Sequence, residues 1–190
     1  MLLFRRPEQS EIMKFISDQA GRSFSYQAVG ATNAGPPRGF IVDHNRIRLG
    51  EGSEVFDSAR RAITEWKMFD IGWVELYRTD TPIATGQTVA VVARICGLWF
   101  LNACRIVYTI DEDGPVRRFG FAYGTLPEHA ESGEERFLIE WNHEDDSVWY
   151  DLLAFSRPNQ MLARIAYPIA RRLQKRFARD SKQAMLECLS

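Results

Sequence analysis

The chain has 190 residues, of which 45% are hydrophobic, and its formal net charge at pH 7 is −1. This length and composition predict a single domain with a substantial core, because a chain of this size buries roughly 70% of the surface that it exposes when unfolded. The nearly balanced charge provides no general attraction to nucleic acid or to an anionic membrane surface. We therefore expect neither a nucleic-acid partner nor membrane insertion.

The cysteines and the first residues of the chain indicate in which cellular compartment the protein is found. Cys96, Cys104 and Cys188 form an odd set without a CxxC spacing, which argues against a disulfide framework. Only a short apolar run precedes Arg5 and Arg6, so the beginning of the chain is unlike a signal peptide. No run approaches the ~20 apolar residues of a membrane span. These features predict a cytoplasmic protein and leave its oligomeric state open.

The first part of the chain reads as helix, loop, strand and helix. Ile12, Phe15 and Ile16 recur at helical spacing, and this predicts a helix over residues 8–20 within an N-terminal extension, residues 1–22. Residues 31–39 are typical of a loop, and residues 40–49 of a strand with mixed faces. Ser53 can cap a helix that continues to about Met68.

Strands dominate the chain after Gly72. We predict them at roughly 73–78, 87–95, 98–110, 116–126, 135–141 and 147–156. Short connections, including the turn at Asp113-Gly114, favour an antiparallel meander. The chain then closes with a long helix from about Gln160, in which Pro168 predicts a kink or a break.

This order of elements predicts an α+β fold of the helix-grip type. In that arrangement a curved antiparallel sheet of about six or seven strands wraps around a long C-terminal helix. We assign residues 23–190 to this one domain. Sheet and helix in such a fold often leave a cavity between them, so the order of elements also predicts a place for a ligand.

One strand has an unusually bare face. Between residues 119 and 124, large aromatic side chains alternate with the smallest residues, and the two sets are Phe119, Phe121, Tyr123 and Gly120, Ala122, Gly124. Small residues in a strand indicate that another backbone, a helix or a ligand comes close to that face. We predict that the bare face makes room for the C-terminal helix, with space for a ligand beside it.

Several segments resemble a known family. They include SYQAVGAT (25–32), RFGFAYGTLPEHAESGEERFLIEW (118–141) and DDSVWYDLLAFSRP (145–158), and the string YGTLPxHxxxGEERF is quite specific. Together they are similar to DUF1990, a domain of unknown function found in bacteria and plants. In outline that family resembles the START-like helix-grip superfamily, whose members bind apolar molecules or act on them in a central cavity. The resemblance implies the same fold and a comparable cavity, and it implies no particular activity.

Four charged residues interrupt the apolar strands, namely Arg94, Arg105, Glu140 and Asp151. A charge on the core face of a sheet is costly unless it is paired. The two cations and two anions can therefore form a neutral network that lines a cavity, or they can point to solvent from the outer face. The sequence leaves both placements open.

The segment PEHAESGEERF places His129, Glu131, Glu134 and Glu135 close together. Such a cluster can run acid–base chemistry or hold a metal. We favour a solvated hairpin loop, and we expect no metal site because the cysteine ligands typical of structural zinc are absent nearby. We expect no cofactor either.

The leading hypothesis is a soluble domain that binds a small, largely apolar molecule between the sheet and the C-terminal helix. The candidate pocket residues are Arg94, Arg105, Tyr123, His129, Glu140, Asp151, Trp141 and Trp99. One alternative is an enzyme that uses Glu140, Tyr123, His129 or Asp151 as an acid or a base in the same cavity. Another is an interaction module without a pocket.

Overall fold

The computed structural model describes residues 1–77, 82–159 and 167–189. The helices are α1 (Gln9–Ala20), α2 (Ala31–Ala34), α3 (Gly52–Thr64) and α4 (Tyr167–Glu187), with a 3₁₀ turn at Lys67–Phe69. The strands are β1 (Leu2–Leu3), β2 (Ile41–Glu51), β3 (Val74–Tyr77), β4 (Thr88–Ile95), β5 (Leu98–Glu112), β6 (Val116–Thr125), β7 (Glu131–Asn142) and β8 (Ser147–Pro158).

All the strands belong to one antiparallel sheet with the order β2-β8-β7-β6-β5-β4-β3, and the short β1 pairs with β5. The strands from β3 to β8 follow one another as neighbours, and β2 then pairs with β8 at the edge. Irregular register between Ile106 and Tyr108, and between Arg48 and Gly50, marks points where a strand bends. The curved sheet and the C-terminal helix confirm the predicted α+β helix-grip fold.

The concave face of the sheet carries the main core. Phe121, Phe137 and Tyr150 project from it and are buried at 0% exposure. The amphipathic helix α3 covers one part of this face with Phe56 and Ile63. The 3₁₀ turn and α4 cover another part, so helices lie over most of the aromatic surface.

The convex face is covered by the N-terminal part of the chain. Helix α1 buries Ile12 and Ile16 against Val92 and Leu101 of the sheet, as its predicted spacing requires. The connecting residues 22–34 continue over this face. Both faces of the sheet are therefore packed, and the N-terminal helix is part of the packed structure, while the division of the chain at residue 22 stays a prediction.

The bare face of β6 belongs to this convex side, and our prediction of its neighbour is wrong. A Cβ atom on Gly124 would lie 2.1 Å from the hydroxyl oxygen of Tyr26, and one on Gly120 would lie 2.1 Å from the carbonyl oxygen of Phe137. The small residues thus make room for the N-terminal segment and for the backbone of β7. The aromatic residues of β6 face the cluster that includes Phe177 of α4.

Element boundaries differ from the prediction in several places. Helix α3 ends at Thr64 instead of near Met68, and a separate 3₁₀ turn follows it. Strand β7 begins at Glu131 instead of residue 135, so most of the expected acidic loop is strand, and the turn before it is short. The predicted loop at residues 31–39 contains the four-residue helix α2. The expected start of the C-terminal helix at Gln160 lies outside the described residues, as do residues 161–166, on which a kink at Pro168 depends. None of the described helices is both long and apolar enough to cross a lipid bilayer.

Candidate functional site

A cavity of about 210 Å³ lies between the concave face of the sheet and α4. Its wall is mainly apolar and includes Phe69, Trp73, Val91, Leu152, Leu173 and Phe177. Polar groups at the wall include Asp43, Asn45, Tyr123, His129, Glu131 and Glu135. A mostly apolar enclosure with a few convergent polar groups is the usual form of a small-molecule site.

The central polar feature of the cavity is a carboxyl–phenol pair. The Tyr123 hydroxyl donates a hydrogen bond to Glu135 Oε2 at 2.9 Å, across the paired strands β6 and β7. Burial raises the pKa of Glu135 to about 7; the hydrogen bond from Tyr123 lowers it and the nearby Asp43 raises it further. The pKa of Tyr123 is raised well above its ordinary value, chiefly by burial. Glu135 therefore exchanges a proton near neutral pH while Tyr123 stays neutral.

His129 lies in the turn before β7 and meets the cavity as a neutral ring. Its Nδ1 accepts a hydrogen bond from the backbone N–H of Glu131 at 3.0 Å, which leaves the proton of the neutral ring on Nε2. Burial, together with the nearby N-terminal ammonium group of Met1, lowers the pKa of His129 to about 4. Near neutral pH His129 is therefore an uncharged polar group at the cavity wall.

Ion pairs and hydrogen bonds fix α4 over the edge of the cavity. The Arg171 guanidinium contacts the Asp43 carboxylate, with Nη2 at 2.7 Å from Oδ1. Gln174 Nε2 donates to the Ser156 hydroxyl at 2.9 Å. These contacts join α4 to the edge strand β2 and to β8, and they set the distance between the helix and the sheet.

Arg94, Arg105 and Trp99 from the predicted pocket set lie away from the cavity wall. Arg94 is exposed and sits 5.7 Å from the centroid of the Trp99 ring. Arg105 donates hydrogen bonds to the backbone carbonyls of Gln19 and Ala20, at 3.1 and 2.6 Å. Arg105 thus holds the C-terminal end of α1 on the convex face, where it satisfies carbonyl groups that the helix leaves free.

Glu140 and Asp151 project from the convex face as well, because each alternates with inward-pointing neighbours. Glu140 accepts hydrogen bonds from Arg46 at 2.8 Å and from Arg118 at 3.0 Å. Asp151 is buried and contacts Arg136 at 3.0 Å and His44 at 2.6 Å. The charged strand residues do pair, as the network hypothesis required, but they pair on the opposite side of the sheet from the cavity.

Tyr123 and His129 are the two predicted pocket residues that line the cavity. Trp141 shares the concave face but packs near Phe56, with the ring centroids 5.9 Å apart, and its Nε1 donates to Asp146 at 2.8 Å. The structure therefore joins a residue of β6 with a residue of the following turn, and it separates them from the other six candidates.

Sequence reasoning missed Glu135 as the main polar group of the cavity. A signal was present, because Phe137 and Ile139 alternate as inward apolar residues and Glu135 precedes them at the same period of two. The predicted strand at 135–141 includes Glu135, but we grouped Glu135 with the acidic segment PEHAESGEERF and interpreted that segment as a solvated loop. The contributions of Phe69 and Asp43 had no comparable signal, since both depend on how distant segments meet.

The described residues contain no group of three or more His, Cys, Asp or Glu side chains placed to hold a metal ion. The acids of residues 131–135 are divided between the two faces of β7, because neighbouring side chains of a strand point in opposite directions. Glu134 accepts hydrogen bonds from Tyr26 and Thr32 on the convex side, whereas Glu135 lies at the cavity wall.

Comparison with known proteins places the chain in a family. The sequence pattern described as "Domain of unknown function (DUF1990)" matches residues 25–184. The chain belongs to the DUF1990 family. It is 38% identical over 208 residues to a UPF0548 protein of Dictyostelium discoideum, covering 100% of this chain and 96% of the relative. It is 34% identical over 191 residues to a UPF0548 protein of Deinococcus radiodurans, covering 94% of each chain.

Solved structures of similar shape are distant in sequence from this DUF1990 chain. Human STARD10 is 12% identical to it with a TM-score of 0.43, and the alignment covers 94% of this chain and 81% of that one. The resemblance to DUF1990 inferred from the sequence is confirmed by the family match. Any statement about a ligand has to rest on the cavity of this chain.

Proposed function

We propose that this DUF1990 domain binds a small, largely apolar molecule in the cavity between the concave face of the sheet and α4. The observation that carries the proposal is the cavity itself, an apolar space of about 210 Å³ with the Glu135–Tyr123 pair in its wall. A packed interaction module has no use for such a space, because empty apolar volume inside a domain lowers its stability.

The cavity volume limits the size of the ligand. An engineered apolar cavity of roughly 150 Å³ accepts benzene, so about 210 Å³ suits a molecule with one or two rings. The aromatic side chains Phe69 and Phe177, whose ring centroids are 5.4 Å apart, provide flat surfaces for such rings. We therefore assign the site to compact ring compounds or short branched chains.

The first test is native mass spectrometry of the purified protein, followed by extraction and identification of any bound molecule. Binding of 1-naphthylmethanol, an uncharged two-ring probe, is then measured by isothermal titration calorimetry. Ala154→Phe fills the cavity at its β8 wall and is expected to abolish binding, whereas Ala34→Phe, on the exposed end of α2, is expected to leave it unchanged. Equal binding by the wild type and Ala154→Phe would contradict a ligand site in this cavity.

A second candidate function is acid–base catalysis in the same cavity, with Glu135 in place of the residues expected from the sequence. The specific observation is a carboxyl group whose pKa is about 7 beside an apolar space, since a general base works best with a pKa near the operating pH. In this function Glu135 would take a proton from a carbon or a heteroatom of the bound molecule.

The ring opening of 5-nitrobenzisoxazole tests this second function. One base removes the C3 proton while the N–O bond breaks, so the reaction needs no other group. We expect the wild type to accelerate it with a pH midpoint near 7, as Glu135 ionises, and Glu135→Gln to lose the acceleration. A rate equal in the wild type and the variant would reject Glu135 as a base.

A further inference from the structure

We propose that the cavity selects apolar molecules that carry a protonated amine, with the ammonium group at Glu135 and the apolar body against Phe69 and Phe177. This inference rests on the proposed binding function and specifies the chemical class of its ligand. It follows from the balance of charge at the cavity wall, from the incomplete hydrogen bonding of Glu135 and from the aromatic rings around it.

Among the described residues of the cavity wall, the charged side chains are acidic. They include four carboxyl groups, on Asp43, Glu131, Glu134 and Glu135, and no lysine or arginine. Two of these carboxyl groups have other partners that account for them. Asp43 is paired with Arg171 from outside the wall, and Glu134 accepts its hydrogen bonds from the segment on the convex face. Glu131 and Glu135 are therefore the wall acids left to meet a ligand, and in their ionised form they attract a cation and repel an anion.

Glu135 is the acid with capacity left for a ligand. A carboxylate has two oxygens with about four acceptor positions, and among the described residues the structure gives Glu135 one hydrogen bond, from Tyr123. Glu131, by comparison, interacts with Ser156 and lies near Arg171, although burial still raises its pKa. An ammonium group at Glu135 would fill the unused acceptor positions and form a charge-assisted hydrogen bond.

The aromatic side chains Phe69, Tyr123 and Phe177 share the cavity wall with Glu135 and complete the site for a cation. The ring centroid of Phe69 lies 6.2 Å from that of Tyr123 and 5.6 Å from that of Phe137. The negative faces of such rings attract ammonium groups, most strongly where water is excluded. The same rings also pack on the apolar part of the ligand, so one small space satisfies both ends of an arylalkylamine.

The proposal predicts how affinity depends on pH. Three neutral groups face Glu135, and burial raises the pKa of each: Tyr123 on β6, Cys104 on β5 and Tyr150 on β8. The carboxyl group of Asp43 on β2 also acts on Glu135, and it is paired with Arg171 of α4. His129, in the turn before β7, has a pKa of about 4. Tyr123, Cys104, Tyr150 and His129 therefore remain neutral between pH 6 and pH 8.

Glu131 lies on the same face of β7 and burial raises its pKa as well, so Glu135→Gln separates the contributions of the two acids. Glu135 itself changes charge over this interval. With a pKa of about 7, its ionised fraction rises about tenfold between pH 6 and pH 8. An ammonium ligand that stays protonated over this interval should therefore bind about tenfold more tightly at pH 8 than at pH 6. An uncharged ligand should show no such gain.

The test compares three naphthalene probes of similar shape and different charge. These are 1-naphthylmethylamine, 1-naphthylmethanol and 1-naphthoate, titrated into the full chain at pH 6 and pH 8 by calorimetry. At pH 8 we expect the amine to bind at least tenfold more tightly than the alcohol and the carboxylate to bind most weakly. Glu135→Gln should remove the preference for the amine and its pH dependence, while Glu144→Gln, at an exposed turn position, should change neither.

The outcomes separate this inference from the function on which it rests. Equal or tighter binding of the alcohol, with no gain for the amine between pH 6 and pH 8, overturns the amine preference and leaves the cavity as an apolar site. Absence of binding for all three probes overturns both. The pH comparison uses the wild type alone, so it decides the question even if Glu135→Gln fails to fold, which circular dichroism would show.

Discussion

Glu134 and Glu135 are neighbours in sequence, yet the two faces of β7 give them different surroundings. Glu134 is 2% exposed and accepts hydrogen bonds from the Tyr26 hydroxyl at 2.7 Å, the Gly30 N–H at 2.7 Å, the Thr32 N–H at 3.0 Å and the Thr32 hydroxyl. Glu135 accepts one described hydrogen bond, from Tyr123 at 2.9 Å. One carboxylate is saturated with donors and the other is not.

The difference separates a structural acid from an acid that is available to a ligand. Four donors compensate the cost of burying the charge of Glu134, and they also fasten residues 26–32 to the convex face. Burial of Glu135 is compensated only in part, so its pKa rises to about 7. On the convex face the buried acid Glu134 therefore holds residues 26–32 against the sheet. On the concave face the buried acid Glu135 lies in the wall of the cavity.

The largest expected effect comes from changing Glu134. Glu134→Gln replaces an acceptor oxygen by an NH₂ group that faces the donors from Tyr26 and Gly30, and we expect a loss of about 3–5 kcal/mol in the free energy of unfolding. Urea denaturation at pH 8 measures this loss. The matched variant Glu135→Gln should keep or increase stability at the same pH, and equal losses in the two variants would refute the distinction.

The second effect is a dependence of stability on pH through Glu135. Its pKa rises from 4.5 in the unfolded chain to about 7 in the folded protein, so the folded state binds more protons between these two values. Its contribution to stability is therefore greatest below pH 4.5 and decreases until about pH 7. The total change is roughly 3–3.5 kcal/mol.

This change is measured as the difference in unfolding free energy between Glu135→Gln and the wild type at several pH values. The difference should shift in favour of the variant by about 2–3 kcal/mol between pH 4.5 and pH 8. Subtraction cancels the contributions of other acids, such as Glu11 and Asp145, whose pKa values are lowered by hydrogen bonds in the folded state. A constant difference would show that Glu135 has an ordinary pKa.

A third prediction concerns the bare face of β6. Gly124→Ala places a Cβ 2.1 Å from the Tyr26 hydroxyl oxygen, and displacing that ring also disturbs its hydrogen bond to Glu134. We expect a loss of about 2 kcal/mol in stability and unchanged binding of 1-naphthylmethanol, since the cavity is on the other face.

Gly114→Ala is the matched control for this prediction, because the nearest atom to its Cβ would be 3.9 Å away. Its stability, measured by urea denaturation, should remain within about 0.5 kcal/mol of the wild type. Loss of probe binding in Gly124→Ala at normal stability would indicate that the bare face of β6 contributes to the ligand site. That result would contradict its assignment to the contact with the N-terminal segment.

Much of the fold could be predicted from the sequence because its signals are local. Ile12, Phe15 and Ile16 identify α1, and apolar runs between short turns identify the strands and their antiparallel order. The alternation of Phe121 and Gly120 also showed that β6 has two unlike faces. These patterns depend on residues within one element, so they can be recognised before the elements meet.

The partner of each face could not be predicted in the same way. Tyr26 reaches Gly124 and Glu134 from about 100 positions earlier in the chain, and no local pattern records that contact. The error about the bare face and the choice of Glu140 over Glu135 have this common origin. Strand periodicity tells which residues share a face, whereas the cavity depends on which distant segments cover that face.

The smallest expected effect is that of Glu140, which the sequence had placed in the pocket. Its carboxylate pairs with Arg46 and Arg118 on the convex side, and those arginine side chains are 44% and 42% exposed. Such pairs contribute about 0–1 kcal/mol, so Glu140→Gln should change the unfolding free energy by no more than that. Its affinity for 1-naphthylmethylamine should equal that of the wild type at both pH 6 and pH 8. A tenfold loss of affinity in Glu140→Gln would mean that the charge of the convex face acts through the sheet, and the separation of the two faces argued from Glu134 and Glu135 would then fail.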